Sequence, residues 1–258
     1  MSDAVILTLD GAVATITLAR PDKLNALDAG MIAALADAAA RIDADPALRA
    51  AIITGEGKGF CAGGDIAAWG GLAPLEMWRT WTRAGHRAFD ALARLRVPLV
   101  AALNGHALGG GLELAGTADI RIAEAQAKFG LPETGIAMVP GWSGTQRLVR
   151  RFGAGVVRRL ALTGEIVTAE RALALGLVDE VVASGEALGR ARDIAARIAA
   201  RGPAATAIAK QLINAAEGEG DEAATLEGLA GALAAFTEDG AEGVASFRGK
   251  RAPGYTGR

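Results

Sequence analysis

The sequence predicts an α/β fold, with a strand-and-helix body over roughly the first two thirds of its 258 residues and a helical tail after it. Three observations predict it. Short apolar runs bounded by turn residues recur through the first half, as expected of strands covered on both faces. Two of them, near 50 and near 97, run into glycine-rich loops and then into helix. From Val156 onward the pattern is nearly all helical.

Val5–Leu9 and Val13–Leu18 flank Asp10-Gly11, a strong signal for a two-residue hairpin. Arg20-Pro21-Asp22-Lys23 ends the second strand. A helix is predicted from about Asp28 to Asp43, with Met31, Ile32, Leu35 and Ile42 as its apolar stripe. Ala50–Thr54 reads as a buried strand leading to the glycine-rich stretch Gly55–Ile66. Pro74–Arg94 reads as helix, with Leu75, Trp78, Phe89, Leu92 and Leu95 as inward candidates. Val97–Leu103 is the next buried strand. It passes through Asn104-Gly105 to Gly109-Gly110-Gly111 and a helix that carries Glu113 in its first turn. Short strands at Asp119–Ala123 and Ala127–Phe129 lead to Pro132-Glu133. Pro140–Thr145 then precedes another helix. Thr168 as N-cap and Gly176 past the end frame one short helix, and Leu188, Ala191, Ile194 and Ile198 mark the next. Helices near 203–217, 221–237 and 240–248 complete the chain.

Composition narrows the function. Lys+Arg 27 against Asp+Glu 29 gives a net charge of −2, which argues against a nucleic-acid or anionic-membrane partner. A single cysteine, Cys61, excludes an internal disulfide framework, and with only His86 and His106 there is no Cys/His metal cluster. The N-terminus carries Asp3 and Asp10 and lacks the basic-then-apolar order of a signal peptide. No apolar run approaches the ~20 residues of a membrane span. A cytoplasmic setting is the expectation.

The glycine loops invite nucleotide motifs, and both fail. Gly55-x-Gly57 is followed by Phe60 where the dinucleotide fingerprint needs glycine. Gly105 and Gly110 have phosphate-loop spacing, but Gly111 and Leu112 stand where Lys and Ser/Thr belong. Gly141-Trp142-Ser143-Gly144 misses a hydrolase elbow by one position, and neither histidine has a matching nucleophile by sequence. His106 is expected to pack or hydrogen-bond under the glycine loop. What survives is two glycine-rich loops after two strands, with Glu113 and Glu133. One backbone N–H from each loop, converging, would form an oxyanion hole for an enolate, and two carboxylates beside it could move protons or activate water. The plain alternatives are tight turns, charge compensation at a helix start for Glu113, and an exposed loop acid for Glu133.

Phe60–Ile66, Asn104–Leu114, Phe129-Gly130-Leu131-Pro132-Glu133 and Pro140-Gly141-x-x-Gly144-Thr145-Gln146-Arg147-Leu148 together resemble the signatures of the enoyl-CoA hydratase/isomerase (crotonase) family. The resemblance runs from Arg20-Pro21 and Leu24-Asn25-Ala26-Leu27 to Phe247-x-x-Lys250-Arg251-x-Pro253, in the family's order. It implies a crotonase-type spiral of strand-strand-helix turns over residues 1–195, and a C-terminal helical region, 196–258, that mediates assembly as a homotrimer or a hexamer of two trimers.

The resemblance further implies oxyanion-hole amides at Gly64 and Gly110. It places the adenine end of a coenzyme A thioester at the Ala62–Ile66 loop, including Asp65 and Ile66. Lys23 is a candidate phosphate contact, and Phe247 and Lys250 are weaker candidates from a neighbouring subunit. Trp142 stands beside the acyl site. Family hydratases carry acids at both glutamate positions, so Glu113 would activate the water that attacks C3 and Glu133 would exchange the proton at C2. Coenzyme A enters as part of the substrate, with no metal or other cofactor. An isomerase, decarboxylase or thioesterase on the same fold is the alternative, and a non-catalytic acyl-CoA-binding module a remote one. An RNA-binding role has no basic run to support it. Two departures stand out: Trp142-Ser143 replaces a frequent Ala-Gly pair, and Gly64 replaces a common alanine.

Overall fold

The computed structural model describes residues 4–220 and 222–258. These form two compact units, one reaching to Ile213 and one spanning Asn214–Arg258.

The first unit is built on two sheets. Strands β1 (Val5–Asp10) and β2 (Val13–Leu18) form the expected hairpin, with Asp10 opposite Val13 and Gly11 at φ +55° in the turn. In the larger sheet they are followed by β3 (Ala50–Gly55), β5 (Leu99–Leu103), β7 (Ile120–Glu124) and β10 (Glu180–Val182), all parallel from β2 onward. The smaller sheet takes β4 (Gly59–Cys61), β6 (His106–Leu108), β8 (Lys128–Gly130) and β9 (Ile166–Thr168). Each long strand therefore hands the chain to a short one in the second sheet: β3 to β4, β5 to β6, β7 to β8. This is the spiral of strand-strand turns. The three-residue strands β4, β6, β9 and β10 correct the sequence reading, which ran from Leu103 to the glycines without a strand and treated the chain after Val156 as helical.

Both faces of the central strands are buried, which explains their unbroken apolar runs. Ala51, Ile53, Leu99, Ala101 and Leu103 face the main core, which also takes Met31, Leu35 and Ile42 from α1 (Ala29–Ala44). The alternate residues Ile52, Val100, Ala102 and Ile122 pack against Ala187, Ala191 and Ile194 of α9 (Ala187–Ala199). Asp28 caps α1 by accepting from Met31 N at 2.8 Å. Between these lie α2 (Ile66–Trp69), α3 (Pro74–Glu76), α4 (Arg83–Ala93), α5 (Gly110–Ala115), α6 (Arg147–Phe152), α7 (Ala154–Thr163) and α8 (Ala169–Ala174), the last capped by Thr168. Helix α10 (Pro203–Ala216) closes the first unit and enters the second, which continues with α11 (Glu222–Ala235) and α12 (Glu238–Arg248).

Met77–Thr82, between α3 and α4, is π-helical. The wider turn shifts which side chains face inward. Leu75 and Trp78, expected inside, are 59% and 57% exposed, and Trp81 instead packs against the core. Among the described residues no helix is long and apolar enough to cross a membrane.

Candidate active site

Each glycine loop has a glycine at positive φ just before the glycine whose amide matters: Gly63 (φ +103°) before Gly64, and Gly109 (φ +53°) before Gly110. Residues with a Cβ rarely adopt that backbone, so paired glycines are needed to turn the following N–H out of the local ladder. Among the described residues neither Gly64 N nor Gly110 N has a protein acceptor. A Cβ built on Gly110 would lie 3.4 Å from Gly64 N, so the two amides border one small volume.

Glu113, on the first turn of α5, is buried. Its Oε1 accepts hydrogen bonds from Trp142 N at 2.7 Å and Gly144 N at 2.6 Å. Burial pushes the carboxyl up to about 7; the amide bonds from Trp142, Gly144 and Gly141 work against that rise, and the charge of Glu133 adds to it. Glu133 follows β8 and Pro132 at the start of a 3-10 turn, Glu133–Ile136. Its Oε1 would lie 2.7 Å from a Cβ on Gly109, and its buried Oε2 has no hydrogen-bond donor among the described residues. Burial raises this carboxyl too, against a bond from its own amide. Two carboxyls that bind protons more tightly than usual thus flank one cavity.

That cavity has a volume of about 550 Å³. Ala62, Gly64, Ile66, Gly110, Glu113, Glu133 and Trp142 all line it, so most of the residues singled out from the sequence come together. Lys23 and Asp65 do not line it. Asp65 is engaged by protein groups instead: its carboxylate meets Arg20 Nη1, just past β2, at 2.9 Å and accepts from Ala67 N at 3.0 Å to cap α2. Lys23 sits in the exposed 3-10 turn Pro21–Lys23, beside Leu24, whose carbonyl accepts from Ala62 N at 3.0 Å. Asn25 ties that turn down through Glu56 O at 3.0 Å and Gly59 O at 2.8 Å. Phe247 and Lys250 belong to the second unit, where Phe247 is 87% exposed.

Sequence reasoning missed part of the wall. A Cβ on Gly64 would lie 3.1 Å from Trp81 Cζ2, 3.2 Å from Trp69 Nε1 and 3.4 Å from Trp142 Cη2. Three of the four tryptophans therefore converge on this glycine, which accounts for the absence of a methyl group there. Trp142 also packs on Trp81 and Phe89, with ring centroids 5.1 and 5.3 Å away. His86, which sequence left without a serine partner, has Nδ1 3.0 Å from the hydroxyl of Ser143, and both line the cavity. Burial lowers the imidazole's pKa, Asp90 opposes that and Arg147 adds to it. Ser143 is a buried non-glycine residue at φ +82°, a backbone strain of about 1–3 kcal/mol. The one sequence signal for this wall was Gly85, an isolated glycine within a helix. His106 lies on β6, where Nδ1 accepts from Lys128 N at 3.2 Å.

Two amides with no acceptor among the described residues, beside the buried Glu113 and half-buried Glu133 carboxyls, define a class: a protein equipped to hold an anionic oxygen while protons move on neighbouring atoms. The chain belongs to the enoyl-CoA hydratase/isomerase family, which it matches over residues 8–258. It is 39% identical to a crotonyl-CoA hydratase of Syntrophomonas wolfei over 96% of this chain and 95% of that protein. It is also 39% identical to a short-chain-enoyl-CoA hydratase of Clostridium acetobutylicum over the same shares of the two chains. The crystal structure of an enoyl-CoA hydratase from Bacillus anthracis superposes with a TM-score of 0.81 at 33% identity, covering 99% of this chain and 100% of that one.

Proposed function

We propose that this protein is an enoyl-CoA hydratase, adding water reversibly across the C2=C3 bond of 2-enoyl-CoA thioesters to give 3-hydroxyacyl-CoA. The observation that carries this reading is the pair of carboxyls, Glu113 buried and Glu133 half-buried, on the cavity that the Gly64 and Gly110 amides border. The thioester oxygen is held by the two amides, which stabilise the enolate as charge develops. Glu113 is anchored through Oε1 by Trp142 N and Gly144 N, so it orients and deprotonates the water that attacks C3. Glu133, whose Oε2 has no donor among the described residues, gives the proton to C2. The chemistry is complete with these four groups and water, and coenzyme A belongs to the substrate. The relatives named as hydratases support the same reading.

The Ala62–Ile66 loop and Lys23 hold the coenzyme A end of the substrate in this reading. The second unit exposes Leu226, Leu233, Phe236 and Phe247, which supports a role for it in a homotrimer or hexamer, with Phe247 and Lys250 reaching a neighbour's ligand. A cytoplasmic setting suits the lone, buried Cys61. The test is hydration of crotonyl-CoA by Glu113→Gln and Glu133→Gln. Each loses about 10²–10⁴ in kcat while still binding the thioester. A near-normal rate in either would overturn the two-acid reading.

A further inference from the structure

Ser143 stands in backbone that glycine adopts freely and serine does not. The turn itself is needed, because it lets Trp142 N and Gly144 N both reach Glu113 Oε1. Glycine at 143 would make that turn without strain, so the turn does not account for the side chain. The hydroxyl does: it lies 3.0 Å from His86 Nδ1, and both residues line the cavity. Among the described residues this is the only side-chain hydrogen bond of His86, so Nε2 is left for a ligand. Much of the remaining wall is apolar, including Trp81, Met77, Ile136 and Val139. Here, then, is a polar pair held at some strain on a largely apolar wall.

Two further observations limit what it can read. Length comes first. The Trp142 indole is wedged against Gly85, Gly110 and Gly64, where added Cβ atoms would come within 2.1, 2.8 and 3.4 Å of it, and against the Trp81 and Phe89 rings. The indole fills the space beside the two oxyanion-hole glycines, so no part of an acyl tail passes there. Charge comes second. Among the described residues no Lys or Arg lines the cavity, two glutamates do, and Arg147 is bonded to Asp90 at 2.6 Å. A carboxylate on the acyl tail would meet like charge without a counterion, whereas a neutral oxygen would not.

We propose that Ser143 and His86 read an uncharged oxygen, a hydroxyl or keto group, on the far part of a short 2-enoyl thioester. This rests on the hydratase reading and names its substrate class. If the serine hydroxyl donates to Nδ1, then Nε2–H donates to the substrate oxygen. In the other tautomer the hydroxyl donates to the substrate and Nε2 accepts from a substrate hydroxyl.

The test compares kcat/KM for matched pairs: crotonyl-CoA with 4-hydroxy-2-butenoyl-CoA, and 2-pentenoyl-CoA with 5-hydroxy-2-pentenoyl-CoA, with the dicarboxylic pent-2-enedioyl-CoA as the charged control. The wild type favours the better hydroxylated partner by about tenfold and disfavours the carboxylate, because a site built to hydrogen-bond a substrate oxygen discriminates against its absence. Ser143→Gly, which keeps the turn and relieves the strain, brings the ratio close to one, as does Ser143→Ala. A wild-type ratio of one or below, or a ratio that survives in Ser143→Gly, overturns the inference. So does an equal fall on both partners, which would make the His86–Ser143 bond only a brace for the turn. In each of those cases plain substrates are still hydrated and the hydratase reading stands. Absence of hydration on every substrate overturns both.

Discussion

The indole of Trp142 rests on the α-carbon of Gly85, so close that a Cβ on the glycine would lie 2.1 Å from Nε1. Gly85 is buried in the interior of α4, where glycine is ordinarily a poor residue. Its presence is explained by the ring it accommodates, and the ring in turn lies against both glycines of the proposed oxyanion hole.

Gly85→Ala therefore reverses the usual sign. In a helix interior this change stabilises by up to about 1 kcal/mol. Here overpacking against a buried indole costs about 1–3 kcal/mol, and the net loss lowers Tm by a few degrees in a chain of this size. The hydration rate falls with it, because the displaced ring moves on Gly64 and Gly110. Thermal unfolding of the single variant and of Gly85→Ala/Trp142→Ala checks the coupling. The double variant loses less than the sum of the two single losses. A raised Tm in Gly85→Ala would contradict the packing argument.

Glu113 makes stability depend on pH. Its carboxyl is raised from 4.5 in the unfolded chain to about 7 in the fold, with burial the main cause. A raised acid binds its proton more tightly in the native state, so its contribution is fully present below pH 4.5 and is lost as pH climbs through about 7. The difference between the two values amounts to about 3 kcal/mol. Glu113→Gln keeps an acceptor for Trp142 N and Gly144 N but has no charge to bury. Denaturant unfolding at pH 5 and pH 8 should show the variant gaining on the wild type by up to about 3 kcal/mol at the higher pH, while its hydration rate collapses. Equal differences at the two pH values would mean the carboxyl is not held at a raised pKa.

How far the sequence reaches follows from the range of the forces involved. Strands such as Val97–Leu103 were legible because both faces are buried and the run is uniformly apolar. The strands Gly59–Cys61 and His106–Leu108 were not, since three residues show no period and the two strands pair with each other across more than forty residues. Glu113 and Glu133 were legible through the motifs around them. The meeting of His86 with Ser143, 57 positions apart, was invisible, because it depends on how α4 crosses the 141–144 turn. Leu75 and Trp78 were misplaced because the π-helical stretch breaks the 3.6-residue period on which the inward face was counted.

Asp65 separates a residue that holds a ligand from one that holds a loop. Its carboxylate is paired with Arg20 at 2.9 Å, with Asp28 also 3.4 Å from the same guanidinium nitrogen, and it caps α2 through Ala67 N. Gly64, whose amide borders the oxyanion volume, is the residue before it. Asp65→Ala removes an N-cap worth about 0.5–2 kcal/mol and a partly shielded ion pair worth at most about 1. The expected stability loss is thus about 1–2 kcal/mol. Asp65→Asn keeps a capping oxygen and loses only the charge, so it should recover at least half of that. The kinetic signature decides the role. If Asp65 sets the orientation of the Gly64 amide, Asp65→Ala lowers kcat about tenfold with little change in KM, because the lost interaction is one made to the developing oxyanion. If instead the carboxylate bound the adenine end of coenzyme A, KM would rise with kcat preserved, and Arg20→Ala would leave kcat untouched. Steady-state hydration by Asp65→Ala, Asp65→Asn and Arg20→Ala separates the two, and parallel kcat losses in Asp65→Ala and Arg20→Ala are the outcome expected of a loop held by that ion pair.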